Sequence, residues 1–491
     1  MLKYTGHPLV DVGVATITAY AKKREPSLVT ATDLEQFAKF MEEIYFGGRW
    51  RGLMFTIFPN SAYTQPKLSK EKKDAYRETF IYGFRTSSPK AEERCAFCGE
   101  AMLTRGFRQN VPLLTGEGTV NFFPWGNVGL PVCGVCALAV QAFLLGSVKC
   151  AGRALFVHAD DESMTLEFAR RFLIENQRFL SLKTVSKEEE GAQNIKYPRT
   201  YFVARLLEVE TERRQAEEDE TPCSITIYHL TNYGTNPDIA LYHFPYHLVS
   251  FLRQAHRAPH GETWRQIERR AWELAIEKAK GKKQDKENLV EKPAGPQPRD
   301  EPGRARNYLY EDLFDLPHNA ARFVRTYFLR RAYRFAREED PRHAYSLQRE
   351  LQLVSWTLAA IFLKEVMNVN QHRIETIKRI ADRIAEHIMA ENDRKLFRGL
   401  WMSRGPSQLR RVLVMEDTRL VQSGKTPLFT LDDFIELFEL HEDSRRPDWD
   451  LTRDLILIRV IEQLYRREWF KVHADVIGQE EMTEATEAAA E

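Results

Sequence analysis

The sequence holds little that would mark a membrane, secreted or uniformly basic protein. Its most apolar stretch, Ala137 to Val148, spans 12 residues and includes Gln141, against the roughly 20 that a membrane helix needs. The opening Met1-Leu-Lys-Tyr-Thr-Gly-His-Pro lacks the apolar core of a signal peptide. A cytoplasmic location without membrane contact is therefore expected, and the six cysteines read as reduced thiols or metal ligands. Excess charge of one sign is also missing. The 71 Lys and Arg nearly cancel 70 Asp and Glu, leaving +1, which excludes a histone-like polycation but leaves local patches open.

Enzyme signatures are equally scarce. There is no Gly-x-x-x-x-Gly-Lys-Ser/Thr phosphate loop, no Gly-x-Ser-x-Gly elbow and no carboxylate cluster of the two-metal nuclease kind. His243 and His247 have zinc-protease spacing, but the glutamate is missing and Pro245 interrupts the helix they would need. His256 and His260 fail likewise through Pro259. No catalytic residue is assigned, and a non-enzymatic role is expected.

What is present is 491 residues, enough for about three domains, with 43% hydrophobic and 29% charged residues, the balance of a globular protein. Residues 284–305 hold four prolines, two glycines and no aromatic residue, so they read as a linker unable to offset its ordering entropy by burial. Before it the pattern is mixed. Val10 to Ala19 is strand-like, with a short buried helix as the alternative, and Leu53 to Phe58 reads as a short strand. Thr32 to Tyr45 reads as an amphipathic helix, Thr263 to Ala279 as a charged one, and Glu208 to Pro222 as a solvated loop or hairpin tip. Ser224 to Leu230 and Ile239 to Phe244 read as strands joined by a turn-rich segment. After the linker, helical periodicity covers Ala320 to Glu338, Ala344 to Val366, Arg373 to Glu391, Ser407 to Leu420, Leu431 to Leu440 and Leu451 to Trp469, the makings of a bundle.

The expected fold class is α+β: a mixed N-terminal domain (1–87 and 151–283) with an inserted Cys₄ zinc module (88–150). The linker 284–305, an all-α small-subunit-like bundle (306–470) and an acidic tail (471–491) follow. Charge is uneven in the second half. Residues 304–420 carry 22 Lys and Arg against 15 Asp and Glu, and residues 421–491 carry 8 against 17.

The strongest local signal is Cys95-Ala-Phe-Cys98 and Cys133-Gly-Val-Cys136, two knuckles separated by 34 residues. Two such turns complete a tetrahedral sulfur shell, which leaves no open position and makes the expected zinc structural. Redox dithiols or plain buried thiols are the alternative. Cys150 and Cys223 lack a partner motif and read as buried small hydrophobes.

Four stretches together resemble a known family. They are Thr5-Gly-His-Pro-Leu-Val-Asp-Val-Gly-Val-Ala, the paired Cys-x-x-Cys motifs, Phe123-Pro-Trp-Gly-Asn-Val-Gly-Leu-Pro-Val-Cys-Gly and Thr231-Asn-Tyr-Gly. The chain resembles the "CXXC–CXXC" family, the large subunits of type I-B CRISPR interference complexes (Cascade). The resemblance covers the first 250 residues by motif and the remainder by architecture only. It implies a non-catalytic subunit near the 5′ handle of a CRISPR RNA, assembled with Cascade backbone subunits. Such a subunit reads a protospacer-adjacent motif in double-stranded DNA, assists strand separation and leaves the rest of recognition to guide pairing. A helicase-nuclease, or a transposition factor in transposon-associated relatives, is then recruited. The family further implies a small subunit translated from an internal start, for which Met367 would give 125 residues.

Several residues have side-chain chemistry that suits these tasks. Arg49 and Arg51, beside Gly47 and Gly48, can bind phosphate or guanine, and Asn60 and Gln65 can read adenine; a plain surface loop around a buried Trp50 is the alternative. Asn121 and Asn127 form a second patch, for which bonding to their own turns is the alternative. Arg330, Arg334 and Arg337 share a face if 320–338 is one helix, and with Arg410 and Arg411 would form a phosphate track; a solvated helix with intramolecular salt bridges is the alternative. A competing reading is a zinc-stabilised regulatory or scaffold protein acting without guide RNA; a third is a metal-dependent nuclease with an unrecognised site.

Overall fold

In the computed structural model of the chain, described residues are all except 1, 48–49, 87–92, 118, 120–127, 184–194, 217–220, 235–236, 275–302, 334, 442–443, 446–447, 474–475 and 478–491. The architecture is α+β, with a helical C-terminal region and small antiparallel sheets. The chain divides into two compact units, Met1–Tyr246 with Glu301–Arg304, and His247–Asp300 with Ala305–Glu491. The mixed domain read over 151–283 therefore gives up its last segment, from His247 on, to the helical unit.

The first unit contains α1 (Pro8–Tyr20), α2 (Ala31–Phe46), α3 (Arg51–Ile57), α4 (Lys70–Phe80), α5 (Gly134–Ala142), α6 (Glu162–Lys183) and α7 (Pro198–Gln215). Its strands are β1 (Thr104–Gly106), β2 (Leu130–Val132), β3 (Val148–Cys150), β4 (Arg153–Ala159), β5 (Ile225–Thr231) and β6 (Asp238–Phe244). Strands β3 to β6 form one antiparallel sheet in sequence order, and the β5–β6 hairpin falls where its alternation placed it, with Ile225 opposite Phe244 and Thr231 opposite Asp238.

At the centre lies α1, buried from Leu9 to Ala19. The strand-like reading of Val10 to Ala19 is corrected: burial on every side erases the amphipathic signal, so a β-branched run can be a helix. Pro8 starts it at the first turn, and the hydroxyls of Thr16 and Thr18 donate to Val12 and Val14 carbonyls at 2.6 and 2.8 Å, which satisfies them inside the core. A Cβ on Gly13 would fall 1.8 Å from the Ala139 carbonyl oxygen, so α5 crosses here at backbone contact. Leu53 to Phe58 is likewise helical over Arg51–Ile57, burying Leu53, Met54, Ile57 and Phe58, a spacing of one helix face. The solvated loop read from Glu208 is α7 up to Gln215, held by Arg171 to Glu208 and Glu212 at 2.6 Å each.

Elements of the second unit begin with α8 (Tyr246–Ala255), which straddles the division, then α9 (Gly261–Arg270), α10 (Tyr308–Leu313), α11 (Ala320–Phe323), α12 (Leu347–Glu350) and α13 (Trp356–Glu365). They continue with α14 (Gln371–Glu391), α15 (Arg394–Met402), α16 (Pro406–Gln422), α17 (Leu431–Phe438), α18 (Trp449–Arg466) and α19 (Trp469–Val472). The long pair α14 and α18 forms its spine, joined by Arg459 to Asp382 at 2.6 Å. A two-stranded ladder, β7 (Glu439–His441) with β8 (Ser444–Arg445), makes the unit not purely helical.

Two long helices expected here are broken. The segment 320–338 is α11 followed by a π-turn through Phe328, and Arg330 then adopts φ +55°. The segment 344–366 divides into α12 and α13 around an extended Ser355, whose hydroxyl caps α13 by accepting from the Leu358 amide at 3.4 Å. The charged helix read to Ala279 ends at Arg270.

Candidate metal centre and nucleic-acid interface

The first cysteine knuckle is a tight turn. The Gly99 amide donates to the Cys95 carbonyl at 3.0 Å and the Cys95 amide to the Glu100 carbonyl at 2.7 Å, with Gly99 at φ +77°, a conformation open to glycine. The second knuckle opens α5: the Cys133 sulfur caps the helix by accepting from the Cys136 amide at 3.4 Å. The β1–β2 ladder draws the two together, with Thr104 opposite Val132. A Cβ on Gly134 would stand 2.1 Å from the Gly83 carbonyl oxygen, so only glycine fits there.

All four sulfurs lie within 4.8 Å of one another, and Cys98 and Cys133 are 3.5 Å apart. That is far beyond the roughly 2.05 Å of a disulfide and near the about 3.8 Å that tetrahedral bonds of 2.3 Å impose. The arrangement is compatible with a metal site. Hydrogen bonds from Cys133 and Cys136 pull the Cys95 and Cys98 thiols down, Cys98 to about 7, while the same contacts push Cys136 up; thiolate character at a clustered site suits metal ligation. Cys150 is fully buried in β3 and Cys223 half-buried, neither of them in the cluster.

The sequence reading missed the groups that fasten the N-terminal segment to this centre. The His7 ring meets Phe97, inside the first knuckle, edge-on at 4.7 Å between centroids. Four residues on, the buried Asp11 carboxylate accepts from the Thr5 amide (2.7 Å), the Thr5 hydroxyl (3.0 Å) and the Gly6 amide (2.9 Å), and meets His158 Nε2 at 3.1 Å. Burial would raise its pKa, but the bonds from His158 and Thr5 hold it below the ordinary carboxylate value. One signal was available: Asp11 is the lone charge between Leu9 and Ala21.

No family model, no curated protein and no solved structure matches this chain.

The nucleic-acid candidates are dispersed. Asn60 and Gln65 do come together, the Gln65 amide donating to Asn60 Oδ1 at 2.9 Å on an exposed turn where Asn60 has φ +61°. Trp50 is buried, as the surface-loop alternative has it. Arg51 begins α3. Arg49, Asn121, Asn127, Arg334 and the Arg51 side chain lie outside the described residues. Arg410 and Arg411 are exposed on α16, with the Arg410 guanidinium 5.5 Å above the Phe434 ring. They border a shallow cavity of about 350 Å³ with Val414 and Phe438.

Arg330 and Arg337 do not share a helix face. Arg337 is exposed in a turn, whereas Arg330 is fully buried. Its guanidinium lies 3.7 Å over the Tyr345 ring and donates twice to Glu350, at 3.0 Å each. A buried guanidinium needs a carboxylate partner, and Glu350 takes the place a phosphate was expected to fill. Arg331 turns to the Trp401 carbonyl at 3.0 Å.

A second group of possible metal ligands, His387, Asp393 and Glu416, is occupied by a cation already on the chain. Arg419 reaches Glu416 at 2.6 Å and Asp393 at 2.9 Å. His256 and His260 are spent on Glu268 (3.1 Å) and the Gln254 carbonyl (2.7 Å). No described helix is long and apolar enough to cross a membrane.

Proposed function

We propose that the chain is the large, non-catalytic subunit of a CRISPR RNA-guided DNA-targeting complex of the type I-B Cascade kind, with structural zinc held by Cys95, Cys98, Cys133 and Cys136. Zinc would supply rigidity there, since four thiolates leave it no substrate position. The observation that carries the reading is the junction of His7 with Phe97. Two of the stretches on which the resemblance rests, far apart in sequence, pack against each other, as expected if they serve one task. In this reading the Asn60–Gln65 turn and the Gly47–Arg51 segment face the adjacent motif of duplex DNA, exposed amides being able to bond adenine. The α16 arginines guide a displaced strand.

Tandem purification of the tagged chain from its native operon, with sequencing of the bound RNA, tests the proposal. Repeat-derived RNA and several copies of a backbone subunit should co-purify. Recovery as a free chain without RNA would sink it and favour the scaffold reading.

A further inference from the structure

Helix α1 ends in a way that its sequence does not favour. The Lys22 amide donates to the Ala19 carbonyl at 3.0 Å and the Lys23 amide to the Thr18 carbonyl at 3.1 Å. This is the paired closure in which the residue after the cap turns left-handed, the position glycine usually fills. Here it is lysine, at φ +55°. A strained non-glycine residue points to a requirement beyond stability, and the closure aims three consecutive cations, Lys22, Lys23 and Arg24, into a cleft of about 730 Å³.

The cleft's other side is α6, which adds Arg170. Against these four cations the cleft presents one carboxylate, Asp33, which feels the charge of Lys23 but whose hydrogen bonds are committed to its own helix. It accepts from the Thr30 amide at 2.9 Å and the Thr30 hydroxyl at 2.7 Å, closing the capping box of α2. Arg170 pairs with Glu167 on its own helix, whereas Lys22, Lys23 and Arg24 form no ion pair among the described residues. Three consecutive cations without an ion pair, beside a fourth whose charge is shared with Glu167, favour a polyanion along this concave surface.

We infer that this cleft binds the sugar-phosphate backbone of a nucleic acid. None of the residues assigned above to motif reading or strand guidance lies in it, and it stands independently of the guide-RNA reading. The cleft supplies charge rather than base-edge readers, so its contribution is to affinity and register and not to sequence choice.

Lys22→Gly separates this role from a structural one. Glycine relieves the left-handed strain, so the thermal midpoint should rise by about 2–4 °C. Affinity for a random 30-nucleotide probe should fall, with the slope of log K against log salt shallower by about 0.9 for duplex DNA or 0.7 for single-stranded RNA. The probe that shows the change identifies the backbone bound. The full-length triple variant Lys22→Gln, Lys23→Gln, Arg24→Gln should lose at least tenfold in affinity and about two to three slope units; should it not fold, the single variant decides. Affinity and slope unchanged for both probes would overturn the inference. A chain that purifies without repeat-derived RNA yet shows these losses keeps the cleft and loses the guide-complex reading.

Discussion

His158 Nε2 lies 3.1 Å from Asp11 Oδ2, tying strand β4 to the buried helix α1 across 147 residues of sequence. The same carboxylate holds the Thr5 and Gly6 amides, so one charge fixes the sheet, the central helix and the segment that carries His7 to Phe97.

Asp11→Asn should destabilise the chain by about 2–4 kcal/mol at pH 7, the range for breaking a buried, hydrogen-bonded charge. The sign with pH follows from its lowered folded pKa. Its contribution is fully present above the unfolded carboxylate value near 4 and is lost as pH falls through the folded one. Urea midpoints for both proteins between pH 7 and pH 3 should therefore converge at the acid end. A constant difference would place the stabilisation elsewhere.

Metal analysis of the purified chain should give about one zinc per molecule, and Cys98→Ser or Cys136→Ser should bring it near zero with a fall in thermal midpoint. Chelator should reproduce that fall in the parent protein. Acidification should release the metal, because the ligands bind as thiolates. A metal-free, equally stable parent would leave four buried thiols and no centre.

Glu350→Gln should cost about 3–5 kcal/mol by stranding the buried Arg330 guanidinium, and the double variant Arg330→Met, Glu350→Met should recover much of the loss. Calorimetry distinguishes the two. At temperatures where the variants remain folded, their nucleic-acid affinity and its salt slope should match the parent's, since Arg330 is fully buried.

Met367 sits in the connection between α13 and α14, whereas Met389 lies within α14 and Met402 closes α15. If an internally translated small subunit exists, its start is therefore expected at Met367, giving the α14–α18 spine intact. Met367→Leu should remove a co-purifying band of 125 residues. A short band of unchanged mass would put the start elsewhere.

The sequence was most legible where one face of an element meets water. The β5–β6 hairpin and helices α14 and α16 fell within a few residues of their expected bounds, because alternation and helical period survive when part of the surface is polar. The cysteine cluster was legible for a different reason, since its spacing encodes a local turn. Full burial hid α1, whereas α3, seven residues long, is too short for its period to be told from a strand's alternation. Between residues 320 and 338 the regular arginine spacing could not reveal that Glu350, distant in sequence, would draw Arg330 inward. Asp11 and His158 went unnoticed as partners because nothing local links position 11 to position 158.

Helix α5 begins with the Cys133 sulfur, a candidate ligand, at its cap and continues as a wall of the core, with Cys136 through Ala142 buried. Its first turn also leans on Gly83 at backbone distance. Loss of a metal at Cys133 would thus be felt along a helix that α1 crosses in direct contact, and could not stay local. The lifetime of the folded chain would then be governed by how slowly the metal escapes, a kinetic property. Brief exposure to a chelator and prolonged exposure should leave different fractions of the molecule recoverable.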